Sequence, residues 1–168
     1  MGVDRWSPER DHAVLGVVVQ GPAIVARSPG IALAVRCIFA SPGGLDFDLV
    51  LQAVGVQAEA ASRQTFGERP RSPASAEVSE RIWPGGSEPE LVVEVDGRSA
   101  VAYPYEQSSS GGEDEFTSEM RLAVPELPSD GLVTLAVSWP QAGLAKAAVT
   151  LTLESLDDLE DRVVHLLA

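Results

Sequence analysis

The chain has 168 residues, and 12 Lys and Arg stand against 25 Asp and Glu, a formal charge of −13. That balance repels phosphate backbones and anionic lipid surfaces over about a Debye length, roughly 8–10 Å at cellular salt. Lys146 is the sole lysine, so neither nucleic acid nor a membrane is expected as a partner. The length fits one domain, 45% hydrophobic and 22% charged residues are globular values, and the lone Cys37 permits no intrachain disulfide.

Residues 1–12 carry Asp4, Arg5, Glu9, Arg10 and Asp11 and lack the apolar stretch of a secretory signal. They are expected to form an N-terminal tail. No apolar run reaches the ~18 residues of a membrane helix, and a lone thiol suits a reducing compartment, so the expected location is the cytoplasm. A valine-rich run at 13–19 fits a strand, and Gly21-Pro22 bends the chain into a second piece near 23–27.

From Ile31 onward apolar residues recur with period two, the pattern of half-buried strands. Leu33, Val35, Cys37 and Phe39 share one face, as do Leu45, Phe47, Leu49 and Leu51 after the turn signal Ser41-Pro42-Gly43-Gly44. Keeping one face wholly apolar pairs Phe39 with Phe47, Cys37 with Leu49 and Val35 with Leu51. That register requires a five-residue connection or a bulge beside Gly43-Gly44 and sets Arg36 diagonal to Asp48 on the outer face.

Residues 57–89, punctuated by Pro70, Pro73, Pro84, Gly85, Gly86 and Pro89, read as a long loop. Leu91–Val95 then meets Asp96-Gly97 and resumes at 99–103, a hairpin signal because both turn residues tolerate positive φ. Residues 106–115, low in complexity and polar, are expected to be a mobile, solvated hairpin tip. Further strands are predicted at 116–124, 132–139 and 147–153.

At the C-terminus, Ser155 and Asp158 resemble a capping box, and Leu156, Leu159, Val163 and Leu166 follow at 3-4-3 spacing. The spacing predicts an amphipathic helix of about three turns over 155–168, docked on the rest of the chain, with docking on a partner as the alternative. The expected fold is therefore mainly β: a two-sheet antiparallel sandwich over 13–154, Ig-like or jelly-roll-like, with one C-terminal amphipathic helix. A barrel is the competing architecture.

The stretch 130–151, DGLVTLAVSWPQAGLAKAAVTL, combines a valine-rich strand ending in Trp-Pro, a Gly turn and a second β-rich segment. With the strand around 31–39 and the Gly-containing polar loop before 116, it resembles a set of β-rich proteins from high-GC Gram-positive bacteria. No activity is attached to that set, so the resemblance implies a fold and no site residues.

His12 and His165 lie far apart in sequence, and no HExxH or paired-cysteine spacing exists. Gly85-Gly86-Ser87-Glu88 approaches a nucleophile elbow, but Pro89 replaces the closing glycine. The glycine pairs lack the following helix that would cradle phosphate. No metal, cofactor or catalytic residue is therefore assigned. Asp46, Asp48 and the run Glu113-Asp114-Glu115 read as solvated acids, with carboxylate chemistry or calcium as the alternative for the first two and calcium or an arginine-rich partner for the run. Trp83, Tyr103, Tyr105 and Trp139 each adjoin a proline, and they either pack the core or form a rim of rings for a protein contact. Together with Leu159, Val163 and Leu166 of the helix stripe they are the candidate binding residues.

The leading expectation is a non-enzymatic protein-interaction module. A small-ligand-binding protein or carboxylate-based enzyme with a sandwich cleft, and a structural subunit of a larger assembly, are the alternatives. Composition leaves the oligomeric state open.

Overall fold

The computed structural model of the chain describes residues 13–67 and 87–167. In chain order the elements are β1 (Val14–Leu15), β2 (Val17–Gln20), β3 (Ala23–Ser28), β4 (Ile31–Ser41), β5 (Gly44–Val54), α1 (Gly55–Phe66), β6 (Glu90–Val95) and β7 (Arg98–Val101). They continue with β8 (Glu106–Gly111), β9 (Glu115–Val124), β10 (Leu132–Trp139), a 3₁₀ turn (Pro140–Ala142), β11 (Leu144–Thr152), the helical turn α2 (Leu159–Arg162) and β12 (Val164–His165). The larger sheet has the order β2-β4-β5-β9-β8 with β3 also beside β4, the smaller has β11-β10-β6-β7, and β1 pairs with β12 as a short ribbon. Every pairing among them is antiparallel. Among the described residues no helix is long and apolar enough to cross a membrane.

Period two explains the sheets. Along β5, Leu45, Phe47, Leu49, Leu51 and Ala53 are buried while Gln52 is exposed, and along β9 Phe116, Met120, Leu122 and Val124 are buried while Glu119 is exposed. The smaller sheet turns Leu91, Val93, Val133, Leu135, Val137 and Leu151 inward, and both inward faces belong to one core. Burying each such Val, Leu or Phe contributes about 1.5–3 kcal/mol gross. Along one side β11 runs beside β3, where Ala145 N–H donates to Ser28 Oγ at 3.1 Å, and just past the end of β11 Glu154 N–H donates to the Val19 carbonyl of β2 at 2.8 Å. Asp96 and Gly97 have φ of 51° and 76°, so the hairpin between β6 and β7 takes the turn that Asp-Gly predicts.

The β4–β5 register differs from the expected one. Ser41 pairs with Gly44 across a two-residue turn, Phe39 opposes Asp46 and Ile38 opposes Phe47. The shift falls at Arg36, between Val35 and Cys37, rather than beside Gly43-Gly44. A bulge there exchanges the faces of β4: Leu33 and Val35 are buried before it, Ile38 and Ala40 after it, and Cys37 and Phe39 become half-buried on the outer side. Each half of the strand thus buries an apolar set, with the buried face exchanged at the bulge.

Three further expectations are corrected. The loop read at 57–89 begins as helix α1, which packs through Ala58 and Ala61. The segment read as a solvated tip at 106–115 contains the hydrogen-bonded strand β8, paired from Glu106↔Arg121 to Gly111↔Phe116. The three-turn helix expected over 155–168 is a single turn. Asp158, with φ of 55°, sits in the left-handed region ahead of it, and Val163 is extended after it. Arg162 Nη1 instead clasps the carbonyls of Ser155 and Asp157 at 2.7 and 2.9 Å, and the chain then pairs with β1.

Candidate functional site

Two ends of the molecule differ. At one end α1 closes the core: Phe116 packs against Trp139 with ring centroids 6.1 Å apart and against Phe66 at 6.2 Å. Ser87 ties this end together, since Trp139 Nε1–H donates to Ser87 Oγ at 3.1 Å and that hydroxyl donates to Gln64 Oε1 at 2.8 Å.

At the opposite end the β1–β12 ribbon overhangs the β4–β5 turn and encloses a groove of about 340 Å³. Its floor is the turn Ser41–Gly44 with Phe39 and Val124, and Val14, Val163 and His165 form the overhang. Gly44 makes the tight floor possible. Its φ is 136°, and a Cβ there would lie 2.0 Å from the Val124 carbonyl oxygen, so only glycine fits. Among the described residues Asp46, Glu160 and His165 are the ionisable groups lining the groove. Asp46 is oriented by Tyr105, whose hydroxyl donates to both carboxylate oxygens at 2.8 and 3.0 Å. Two carboxylates and an imidazole around an open groove can accept hydrogen bonds from a cationic or amide-bearing group. No cluster of three His, Cys, Asp or Glu placed to hold a metal occurs among the described residues.

The ribbon has two faces because its residues alternate. Val14 opposes His165 and both line the groove, whereas Leu15 opposes Val164 and both point to solvent, 44% and 55% exposed. Leu166 N–H continues the ladder to the Ala13 carbonyl at 2.7 Å, and the side chains of Leu166 and Leu167 are exposed. Val18 is likewise exposed, opposite Phe39 of the groove floor.

Among the residues singled out from sequence, Val163 lines the groove, Leu166 bonds through its N–H to Ala13 beside β1, and Leu159 of α2 is buried. Leu159 and Val163 are used inside the chain, so they anchor the ribbon rather than present a stripe. Tyr105 acts on this end through Asp46. Trp139 is a core residue, 1% exposed, and is no part of a rim; Tyr103 is exposed on the β7–β8 crossover. Trp83 lies outside the described residues. Leu15, Val18, Val164 and Glu160 were not singled out. The available signal was the two-sided apolar character of residues 14–19, which a strand with one solvated face does not need.

On the outer face of the larger sheet Arg36 Nη2 meets Glu119 Oε1 at 2.7 Å and Arg121 lies 3.8 Å from Glu106. The hydrogen bond that Arg36 donates to Glu119, with the Glu119 and Asp48 charges, holds the Arg36 guanidinium above its ordinary range despite some desolvation. The Arg36–Asp48 proximity expected from sequence is present across the bulge. Both ion pairs are exposed and contribute little.

No family model, curated protein or solved structure significantly matches this chain.

Proposed function

We propose that the chain is a non-enzymatic interaction module, a two-sheet β-sandwich that presents the β1–β12 ribbon to a partner protein. The observation that carries this is the solvent-facing pair Leu15 and Val164, directly opposed across the ribbon and continued by Leu166 and Leu167. Leaving such side chains largely in water forgoes part of the about 1.5–3 kcal/mol that full burial of each contributes. Their grouping on a two-residue ribbon marks a contact surface rather than the scattered exposure any surface shows. The acidic charge and single thiol support a cytoplasmic setting.

The test is capture of partners from the native host by the wild-type chain and by Leu15→Asp/Val164→Asp. A protein retained by the first and lost by the second, with unchanged melting temperature, supports the reading. Identical capture by both refutes the assignment to the ribbon.

A second reading, a small-ligand site for a cationic or amide-bearing molecule, is favoured by the groove with Asp46, Glu160 and His165. Titration with arginine, choline and spermidine, followed through the His165 imidazole signals, separates it from the first. Shifts confined to groove residues at micromolar ligand support the small-ligand site.

A further inference from the structure

We infer that the outer edge of β8 is a strand-addition site for an extended, basic segment of a partner protein. This deepens the reading as an interaction module by naming a partner class, and it concerns a surface separate from the ribbon.

Among the described residues β8 ends the larger sheet and is paired on one side only, with β9. Its register runs without a shift from Glu106 to Gly111, and Gly112 N–H donates to the Glu115 carbonyl at 2.9 Å to close the hairpin. Antiparallel ladders alternate between residues bonded to the partner strand and residues turned away. Counting back from Gly112 leaves the N–H and C=O groups of Gln107, Ser109 and Gly111 directed at the open edge. Edge strands are usually blunted by Lys, Pro, a bulge or an inward charge. Between Gln107 and Gly111 there is none of these, only amide and hydroxyl side chains and a glycine, with Ser62 of α1 close to Gly111.

The edge is also held in place. Tyr105 N–H donates to the Arg121 carbonyl at 3.0 Å, and Ser109 and Ser118 hydroxyls bond at 2.9 Å. At the far end Gly55 N–H donates to the Asp114 carbonyl at 3.0 Å, tying the hairpin turn to the start of α1. An edge already ordered in this way saves an incoming strand part of the ordering cost of association.

Charge selects the occupant. Glu106 flanks one end of the edge, where Arg121 partly offsets it, and Glu113, Asp114 and Glu115 flank the other. Antiparallel pairing of two β8 strands about a two-fold axis would bring Glu106 of each copy toward that acidic turn of the other, on chains of charge −13 each. A segment with Arg or Lys at its ends meets carboxylates instead.

The test is a titration of the full chain with two synthetic peptides, Arg-Thr-Val-Thr-Val-Thr-Arg and its Glu-ended counterpart, followed by amide NMR and hydrogen exchange. The expected result is that the Arg-ended peptide alone slows exchange at Gln107, Ser109 and Gly111 by about tenfold or more. Glu113→Lys/Asp114→Lys should weaken its binding by about tenfold. Leu15→Asp/Val164→Asp should leave it unchanged, so this test and the ribbon test fail independently. Equal binding of both peptides, shifts mapping elsewhere, or no binding at millimolar peptide would overturn the inference. Concentration-dependent protection of the same amides without peptide would overturn it in favour of a second copy.

Discussion

The hydroxyl of Tyr105 donates to both carboxylate oxygens of Asp46, joining the start of β8 to the groove across 59 positions of sequence. Hydrogen bonds to charged groups contribute about 1.5–3 kcal/mol, and this half-buried one belongs at the lower end. Tyr105→Phe is expected to lower the melting temperature by roughly 2–5 °C while leaving the fold intact. An unchanged melting curve would show that the bond carries no stability.

Gly44 and Gly43 adjoin in the same turn and make opposite demands. A Cβ on Gly44 would collide with the Val124 carbonyl, whereas one on Gly43 meets only Ser41 Oγ at 3.8 Å. Gly44→Ala should therefore destabilise by about 3 kcal/mol or more. Gly43→Ala should stay within about 0.5 kcal/mol. Denaturant unfolding of both variants checks the contrast.

Burial, with the Asp48 carboxylate second, pushes the Cys37 thiol above the ordinary cysteine range. The folded protein thus holds the thiol proton more tightly than the unfolded chain does. The stabilisation linked to it is full below the unfolded thiol's pKa and is lost as pH rises from there through the folded value. Iodoacetamide alkylation of the native protein should have a midpoint pH above that of the urea-unfolded chain, and Asp48→Asn should bring it part of the way down. Coincident native and unfolded midpoints would contradict this.

The C-terminal segment is docked within the chain through Leu159 and Val163. Leu159→Ala should cost about 2–4 kcal/mol, and deletion of 155–168 at least as much, because it also removes the partner of β1. Leu166→Ala, at an exposed position, should stay within about 0.5 kcal/mol. Thermal unfolding of the three variants measures the order.

The β-rich architecture was legible because burial repeats every second residue in β5, β9 and β10, and the Asp96-Gly97 turn because its φ values demand those residues. The Arg36 bulge was not legible. An unbroken apolar face on β4 satisfies the local pattern equally well, and only the layout of the whole core selects Ile38 over Phe39 for burial. α1 carries little sequence signal because it packs through two alanines, which leave almost no helical stripe. The C-terminal stripe signals more helix than forms for the converse reason: one helical turn followed by an extended Val163 buries the same Leu159 and Val163 that a three-turn helix would. Of the site, Val163 and Leu166 were visible as apolar residues needing cover. The solvent-facing role of Leu15 and Val164 depends on the β1–β12 pairing, which joins the two ends of the sequence.

The most direct test of the ribbon as a contact surface is hydrogen exchange on the chain alone and in complex with a partner captured from the native host. Slowed exchange at residues 13–18 and 163–167 in the complex is the predicted result. Unchanged exchange across both segments, with protection confined to other parts of the molecule, would contradict it.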